Sequence, residues 1–334
     1  MKTALITGIA GQDGSFLAES LLADGYRVFG ITPEGFPLGH IEKIKDDISI
    51  IYGDISDFES ILRAVDESRP DEIYNLAAMS SVADCWKKPA AAAECNALGP
   101  LNILEAMKRI KPSARFLQAS TCEIFGNAYA APQSEDTPFH PVSPYGIAKL
   151  YAHLMTENYR RTSGLFACSA IFFNHESERR GPNFVTRKIT LAAANIKAGR
   201  QEHLELGNLD ARRDWGYAPD YIMAARLVLG AEKPEDYVVA SGESHSVREF
   251  CSAAFKTAGF KLEWEGSGVG EKGIDSDSGK ILVQVNPEFF RPIDTNSYIG
   301  NPSKAEYKLG WKRSVSFEDM VAKMTEHDIA EVCR

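Results

Sequence analysis

The sequence predicts an α/β chain: a doubly wound parallel sheet with a smaller mixed α/β lobe toward the C-terminus. Three observations carry this reading. Short β-branched runs alternate with amphipathic stretches through the first half, and strands alternating with helices build right-handed βαβ units on a sheet covered on both faces. Three glycines, Gly8, Gly11 and Gly14, separate the first apolar run from the first amphipathic one. Beyond about residue 175 the alternation loosens into stretches rich in Gly, Asn, Arg and Asp, as in a lobe assembled from insertions.

Taken in order, residues 3–7 are apolar and short enough for a buried strand. Residues 15–24 follow with Phe16, Leu17, Leu21 and Leu22 at helical spacing, closed by Gly25. Strands are expected over 26–31, 48–52, 72–76 and 114–119, and helices over 61–67 and 91–110. Residues 265–280 are rich in glycine and charge and are expected to form a mobile surface loop. The expected division is residues 1–175 and 176–334, with segments interleaved between the two.

Composition narrows the function. Of 334 residues, 44% are hydrophobic and 25% charged, as in globular chains rather than disordered ones. Lys+Arg 37 against Asp+Glu 46 leaves a net charge of -9, which argues against nucleic acid or an anionic membrane as partner. No apolar run approaches the roughly 18 residues of a membrane helix, and the N-terminus reaches glycine and charge too early for a signal peptide. The six cysteines are scattered without a CxxC pair. The expectation is a cytoplasmic chain with reduced thiols and no metal.

Gly8-Ile9-Ala10-Gly11-Gln12-Asp13-Gly14 follows a strand and opens a helix. Residues without Cβ let backbone approach a pyrophosphate, whose charge suits the helix N-terminus, so residues 1–175 read as a Rossmann-type NAD(P)-binding domain. Gly8, Gly11, Gln12, Asp13 and Gly14 are the candidate cofactor residues there. Asp54 and Ile55 end the third strand, where a carboxylate and a backbone group would face adenine; Ala77 ends the fourth, leaving room for a dinucleotide to cross. Tyr145 and Lys149 stand at i and i+4, hence on one helix face. A lysine ammonium beside a phenol lowers its pKa of roughly 10 toward neutrality and makes the tyrosine a usable acid or base. Thr121 and Glu123 directly follow a strand, at the carboxyl edge where open α/β sheets bind ligands.

Together these residues resemble the extended short-chain dehydrogenase/reductase family. The blocks TGIAGQDGSFLAE, YNLAAMSSV, QASTCEIFG, SPYGIAKLY, FNHESERRG, VTRKIT, LGNLDARRDWGYAPDY, FFRP and GNPSKAEYKLGW are similar to the successive signatures of GDP-mannose 4,6-dehydratases, from residue 3 to about 328. The resemblance implies a catalytic set of Thr121, Glu123, Tyr145 and Lys149, with Tyr145 and Lys149 also touching the cofactor. It implies that Tyr145 takes the C4 hydroxyl proton as hydride leaves C4, and that Glu123 removes the C5 proton and assists loss of the C6 hydroxyl as water. Hydride then returns to C6, giving a GDP-4-keto-6-deoxy sugar on a tightly bound, recycled NAD(P). Asn174, Lys188, Arg213, Arg291 and Asp294 match positions that hold the GDP-sugar, and His175 is read as structural. The resemblance also implies a homodimer, with a tetramer as the alternative.

The sequence departs from the family after the second strand. Thr32-Pro33-Glu34-Gly35-Phe36-Pro37 is acidic where relatives carry basic residues for the 2′-phosphate of NADP. The resemblance therefore says NADP and the residues leave NAD as an alternative, because Glu34 repels a phosphate and accepts from a ribose hydroxyl. Two rival functions stand beside the dehydratase: an epimerase or reductase of the same family, which has less need of Glu123, and a cofactor-sensing protein without catalysis, which has no need of all four catalytic residues.

Overall fold

The computed structural model describes residues 1–126, 131–290 and 298–333. The chain divides into two compact units. The first comprises Met1–Phe173, Ala218–Ala240 and Gly300–Lys312; the second comprises Asn174–Tyr217, Ser241–Ile299 and Arg313–Arg334.

Elements are numbered along the chain. β1 (Thr3–Thr7) leads into α1 (Gln12–Ala23), then β2 (Arg27–Thr32), β3 (Ser49–Tyr52), α2 (Phe58–Ser68) and β4 (Glu72–Asn75). The helix begins three residues before the apolar spacing suggests, because its first turn, Gln12-Asp13-Gly14, has no apolar residue to reveal the period. α3 (Val82–Lys87), α4 (Pro89–Ala93) and α5 (Gly99–Ile110) precede β5 (Arg115–Thr121), α6 (Pro144–Ser163) and β6 (Phe166–Phe172). The single helix expected over 91–110 carries a π-helical turn at Glu94–Leu98. Pro100 lacks the N–H that a regular turn would need there, and the buried Asn96 exchanges hydrogen bonds of 2.9 and 3.1 Å with the Met79 backbone.

After β7 (Asn174–Glu176), α7 (Val185–Lys197), β8 (Leu204–Leu206), β9 (Arg212–Arg213) and β10 (Trp215–Tyr217) of the second unit, the chain returns to the first with α8 (Ala218–Gly230) and β11 (Tyr237–Val239). The seven-stranded sheet runs β11-β6-β5-β4-β1-β2-β3, every pair parallel. Strand order reverses between β1 and β4, the switch point at which such sheets bind ligands. Because helices cover both faces, the central strands are buried nearly throughout: six of the seven residues of β5 are buried, the polar Gln118, Ser120 and Thr121 among them. On one face Ile61, Val65, Leu104 and Met107 of α2 and α5 pack on Leu5, Phe29, Ile73 and Phe116.

In the second unit, β12 (His245–Ser246) pairs antiparallel with β9, and α9 (Val247–Ala258) follows behind a capping box of Ser246 and Glu249. β13 (Leu262–Glu265), β14 (Lys272–Asp275) and β15 (Ile281–Val285) form an antiparallel run to which β8 adds in parallel. The mobile loop expected over 265–280 is thus partly a sheet strand: Gly273 and Asp275 of β14 are buried, and its glycine–charge composition hides a period of two. α10 (Ser303–Leu309) belongs to the first unit and α11 (Phe317–Val332) to the second. α7, α9 and α11 enclose Phe250, Phe255, Met320, Met324 and Val283, each worth roughly 1.5–3 kcal/mol when fully buried. Among the described residues no helix is long and apolar enough to cross a membrane, and no group of three or more His, Cys, Asp or Glu converges as a metal site would.

Candidate active site

The glycine loop lies where β1 turns into α1. Gly8 takes φ +70°, and a β-carbon there would stand 2.9 Å from the Ala77 backbone; one on Gly14 would stand 2.3 Å from the Gly8 carbonyl oxygen. Both positions are therefore closed to any side chain. Gly11, the N-cap of α1, supplies no side-chain cap, so a helix N-terminus opens beside the loop. Gln12 Nε2 donates to Asp13 Oδ1 at 3.0 Å in its first turn. Leu76 N and Ala77 N donate to Thr7 Oγ1 at 3.2 and 3.1 Å, tying the end of β4 to the end of β1.

At the end of β3, Asp54 Oδ1 accepts from Ser56 N and Oγ at 2.9 and 2.8 Å. Ile55 is buried, and its carbonyl accepts from Asn102 Nδ2 at 3.0 Å. Its side chain packs where a β-carbon on Gly99 would intrude, 2.7 Å away. Ile55 thus fixes α5 against the strand end, a packing role that its place after Asp54 did not reveal.

The strand expected to stop at Ala119 continues to Thr121, which caps a 3₁₀ turn over Cys122–Ile124 by accepting from Glu123 N at 3.3 Å. Cys122 is buried, whereas Glu123 is half-buried. α6 starts at Ser143, whose Oγ accepts from Gly146 N at 3.0 Å, with Pro144 at the first helical position. That sets Tyr145 in the first turn and Lys149 one turn on. The Tyr145 ring packs with Cys85, Ala92, Met79 and Val82. A β-carbon on Gly146 would lie 2.6 Å from the Glu123 carbonyl oxygen, so the first turn of α6 sits directly on the Glu123 turn. Lys149, 3% exposed, has its Nζ 5.9 Å from the centre of the Tyr145 ring and donates to the Ala119 carbonyl at 2.8 Å. Burial lowers its pKa to about 8, against the opposing pull of Cys95, Asp13 and Cys85. All six cysteines are unbridged.

In the second unit Asn174 opens β7 opposite Trp215, with its Oδ1 buried and lacking a hydrogen-bond partner. Lys188 on α7 donates to the Glu205 carbonyl at 2.8 Å and lies 4.6 Å from the centre of the Phe289 ring; burial lowers its pKa. Arg213 lies 5.6 Å from the Tyr298 ring and donates to the Arg212 carbonyl. Arg291 and Asp294 lie outside the described residues. Sequence reasoning missed Thr7, Asn75 and Gln118, one buried polar residue in each of three strands, at the last position of β1 and of β4 and midway along β5. That pattern was the available signal.

Compared with known proteins, the chain matches the family described as GDP-mannose 4,6 dehydratase over residues 5–324. It is 44% identical to the GDP-mannose 4,6-dehydratase of Yersinia enterocolitica, across 99% of this chain and 95% of that one. It is 45% identical to the GDP-mannose 4,6 dehydratase of Cricetulus griseus, across 98% and 91%. Among solved structures, UDP-glucose 4-epimerase of Thermotoga maritima superimposes with a TM-score of 0.83 at 24% identity, covering 99% of this chain and 100% of that one. UDP-glucose 4-epimerase of Thermus thermophilus, in complex with NAD, gives 0.81 at 26%, covering 98% of each. The epimerases share the fold, while the full-length identity to dehydratases goes further: the chain belongs to the GDP-mannose 4,6 dehydratase family.

Proposed function

We propose that the protein is a hydro-lyase that converts GDP-mannose, or a close GDP-sugar, to the GDP-4-keto-6-deoxy sugar. The observation that carries this is the seating of Tyr145 and Lys149 directly on the turn that bears Glu123, through the Gly146 contact. An alcohol oxidation needs the tyrosine and lysine; elimination of water needs a further acid/base group, and Glu123 supplies one.

A nicotinamide dinucleotide fits the residues present. A β-carbon at Gly8 or Gly14 would collide with backbone, so glycine there keeps the loop tight against the end of β4, and the uncapped start of α1 favours a pyrophosphate. Gly8, Gly11, Gln12, Asp13 and Gly14 would hold it, with Ala77, Asp54 and Ile55 beside them. When bound, the nicotinamide supplies the redox chemistry, taking hydride from C4 and returning it to C6 of the same sugar. The Lys149 ammonium favours the Tyr145 phenolate, which accepts the C4 hydroxyl proton and becomes the phenol. The ketone at C4 acidifies C5–H, and Glu123 takes that proton. Glu123 then gives that proton to the departing C6 hydroxyl, which leaves as water, and the return of hydride to C6 is matched by delivery of a proton to C5. Thr121 holds the Glu123 turn through its hydroxyl and completes the polar edge. In the second unit, Arg213, Lys188 and Arg291 supply positive charge for the diphosphate. The buried, unpartnered Asn174 Oδ1 supports a role in accepting a substrate donor, and Asp294 completes the substrate set.

The acidic segment after β2 supports NAD over the NADP that the resemblance implies. Unbridged thiols support a reducing, cytoplasmic setting. Ile147, Tyr151 and Leu154, exposed in a row on α6, support a homodimer. Incubation with GDP-mannose tests the activity: the expected product is lighter by one water, and a product of unchanged mass would overturn the dehydratase in favour of an epimerase.

A further inference from the structure

Three buried polar side chains from neighbouring strands form one hydrogen-bonded chain. Thr7 Oγ1 on β1 donates to Asn75 Oδ1 on β4 at 2.6 Å, and Asn75 Nδ2 donates to Gln118 Oε1 on β5 at 2.7 Å. Gln118 Nε2 donates to the Ala119 carbonyl at 2.8 Å, and the same oxygen receives Lys149 Nζ at 2.8 Å. Thr7, Asn75 and Gln118 are each 0% exposed. Polar groups are costly there unless fully paired, and an apolar residue at any of the three would pack at lower cost. At the other end, Thr7 Oγ1 receives the Leu76 and Ala77 amides against which Gly8 packs.

We infer that Gln118 is a positioning residue for Lys149: by sharing the Ala119 carbonyl, its amide sets how firmly that oxygen holds the lysine ammonium, and so ties the lysine to the strand ends that form the glycine loop. This rests on the reading of Lys149 as a catalytic residue. A carbonyl oxygen with two donors binds each less strongly than one donor alone. Without the Gln118 amide the ammonium has the oxygen to itself, keeps its proton to higher pH and is drawn toward β5. The other groups facing Lys149 are Cys95 of the π-helical turn, Cys85 of α3, Asp13 of α1 and Tyr145 of its own helix. None of them changes in the variants below.

The test uses the full chain with ¹³C-labelled lysine, following Lys149 through a pH titration by NMR, its signal assigned with Lys149→Arg. In the wild type the midpoint is expected near about 8. Gln118→Met should raise it by about one half to one pH unit, because hydrogen bonding to the charged form strengthens. Gln118→Glu, the isosteric variant, should raise it at least as far, because an ionised carboxylate adds attraction. Turnover of GDP-mannose by Gln118→Met should fall roughly tenfold in kcat, a loss of ~1.4 kcal/mol, with KM little changed. A folded Gln118→Met whose Lys149 midpoint stays at the wild-type value would overturn the inference, and if that variant does not fold, an unmoved midpoint in Gln118→Glu would do so. Wild-type protein inert toward GDP-mannose would instead overturn the functional reading, which the titration does not depend on.

Discussion

Gly146 and Glu123 touch through backbone: a β-carbon on the glycine would stand 2.6 Å from the Glu123 carbonyl oxygen. The glycine belongs to the first turn of α6, beside Tyr145, and the contact is with a main-chain atom that no rotamer change can move aside. The distance between the two halves of the proposed catalytic set is therefore fixed by the lack of one methyl group.

Gly146→Ala is accordingly expected to force α6 off the Glu123 turn. Overpacking of this kind costs about 1–3 kcal/mol, which a urea melt would register. Because the shift separates Tyr145 from Glu123, turnover should fall by more than stability alone explains, with binding of the dinucleotide retained. Wild-type kcat in a stable Gly146→Ala protein would show that the contact does not position the site.

Glu123→Gln keeps the side-chain shape and removes the proton-transfer capacity. General acid–base steps contribute roughly 10²–10⁴-fold, and a loss of that size in formation of the 4-keto-6-deoxy product is expected. Dinucleotide titration should give wild-type affinity. More than about half of wild-type turnover would remove Glu123 from the mechanism.

Lys149 carries a stability cost with a definite pH dependence. Burial lowers its pKa from 10.5 to about 8, which at roughly 1.4 kcal/mol per pH unit is about 3 kcal/mol. Below pH 8 both folded and unfolded chains hold the proton and the cost is fully present. Between about 8 and 10.5 the unfolded chain holds more protons than the folded one, so this cost shrinks as pH rises. Lys149→Met should therefore be inactive yet more stable than wild type at pH 7, by up to about 3 kcal/mol, with the gap closing toward pH 10.5. Urea melts of both proteins across that range check the sign.

Much of the first unit was legible because its central strands are short bounded runs buried on both faces; residues 3–7 read as apolar, and residues 72–76 as a strand despite Glu72 and Asn75. The starts of helices were less visible. α1 opens with Gln12-Asp13-Gly14, which holds no apolar residue and so leaves no hydrophobic period. β14 was hidden for a related reason, since Gly273 packs against Trp264 without contributing a side chain of its own. At the candidate site, Tyr145 and Lys149 could be found from helical spacing. For Thr7, Asn75 and Gln118 the sequence shows only one polar residue in each of three strands; their partnership spans strands adjacent in space but 43 to 68 residues apart in the chain.

The segment after β2 makes a further expectation. Pro33 and Phe36 close a turn through Gly35, at φ +75°, with Glu34 exposed. Arg27 cannot compensate: it begins β2, five residues (about 16 Å) from the end that leads toward Glu34, with its guanidinium over the Phe29 ring. NAD should bind at least as tightly as NADP in a direct titration. Glu34→Arg should shift the preference toward NADP by roughly tenfold or more, as one charge-assisted contact gives about 1.5–3 kcal/mol. A strong NADP preference in the wild type would contradict this account.

The central claim is that one sugar is oxidised at C4, dehydrated across C5–C6 and reduced at C6 within a single site. GDP-mannose carrying deuterium at C4 tests it most directly. The expected product has lost one water and carries the deuterium at C6. Deuterium still at C4, or returned there with the mass unchanged, would contradict it.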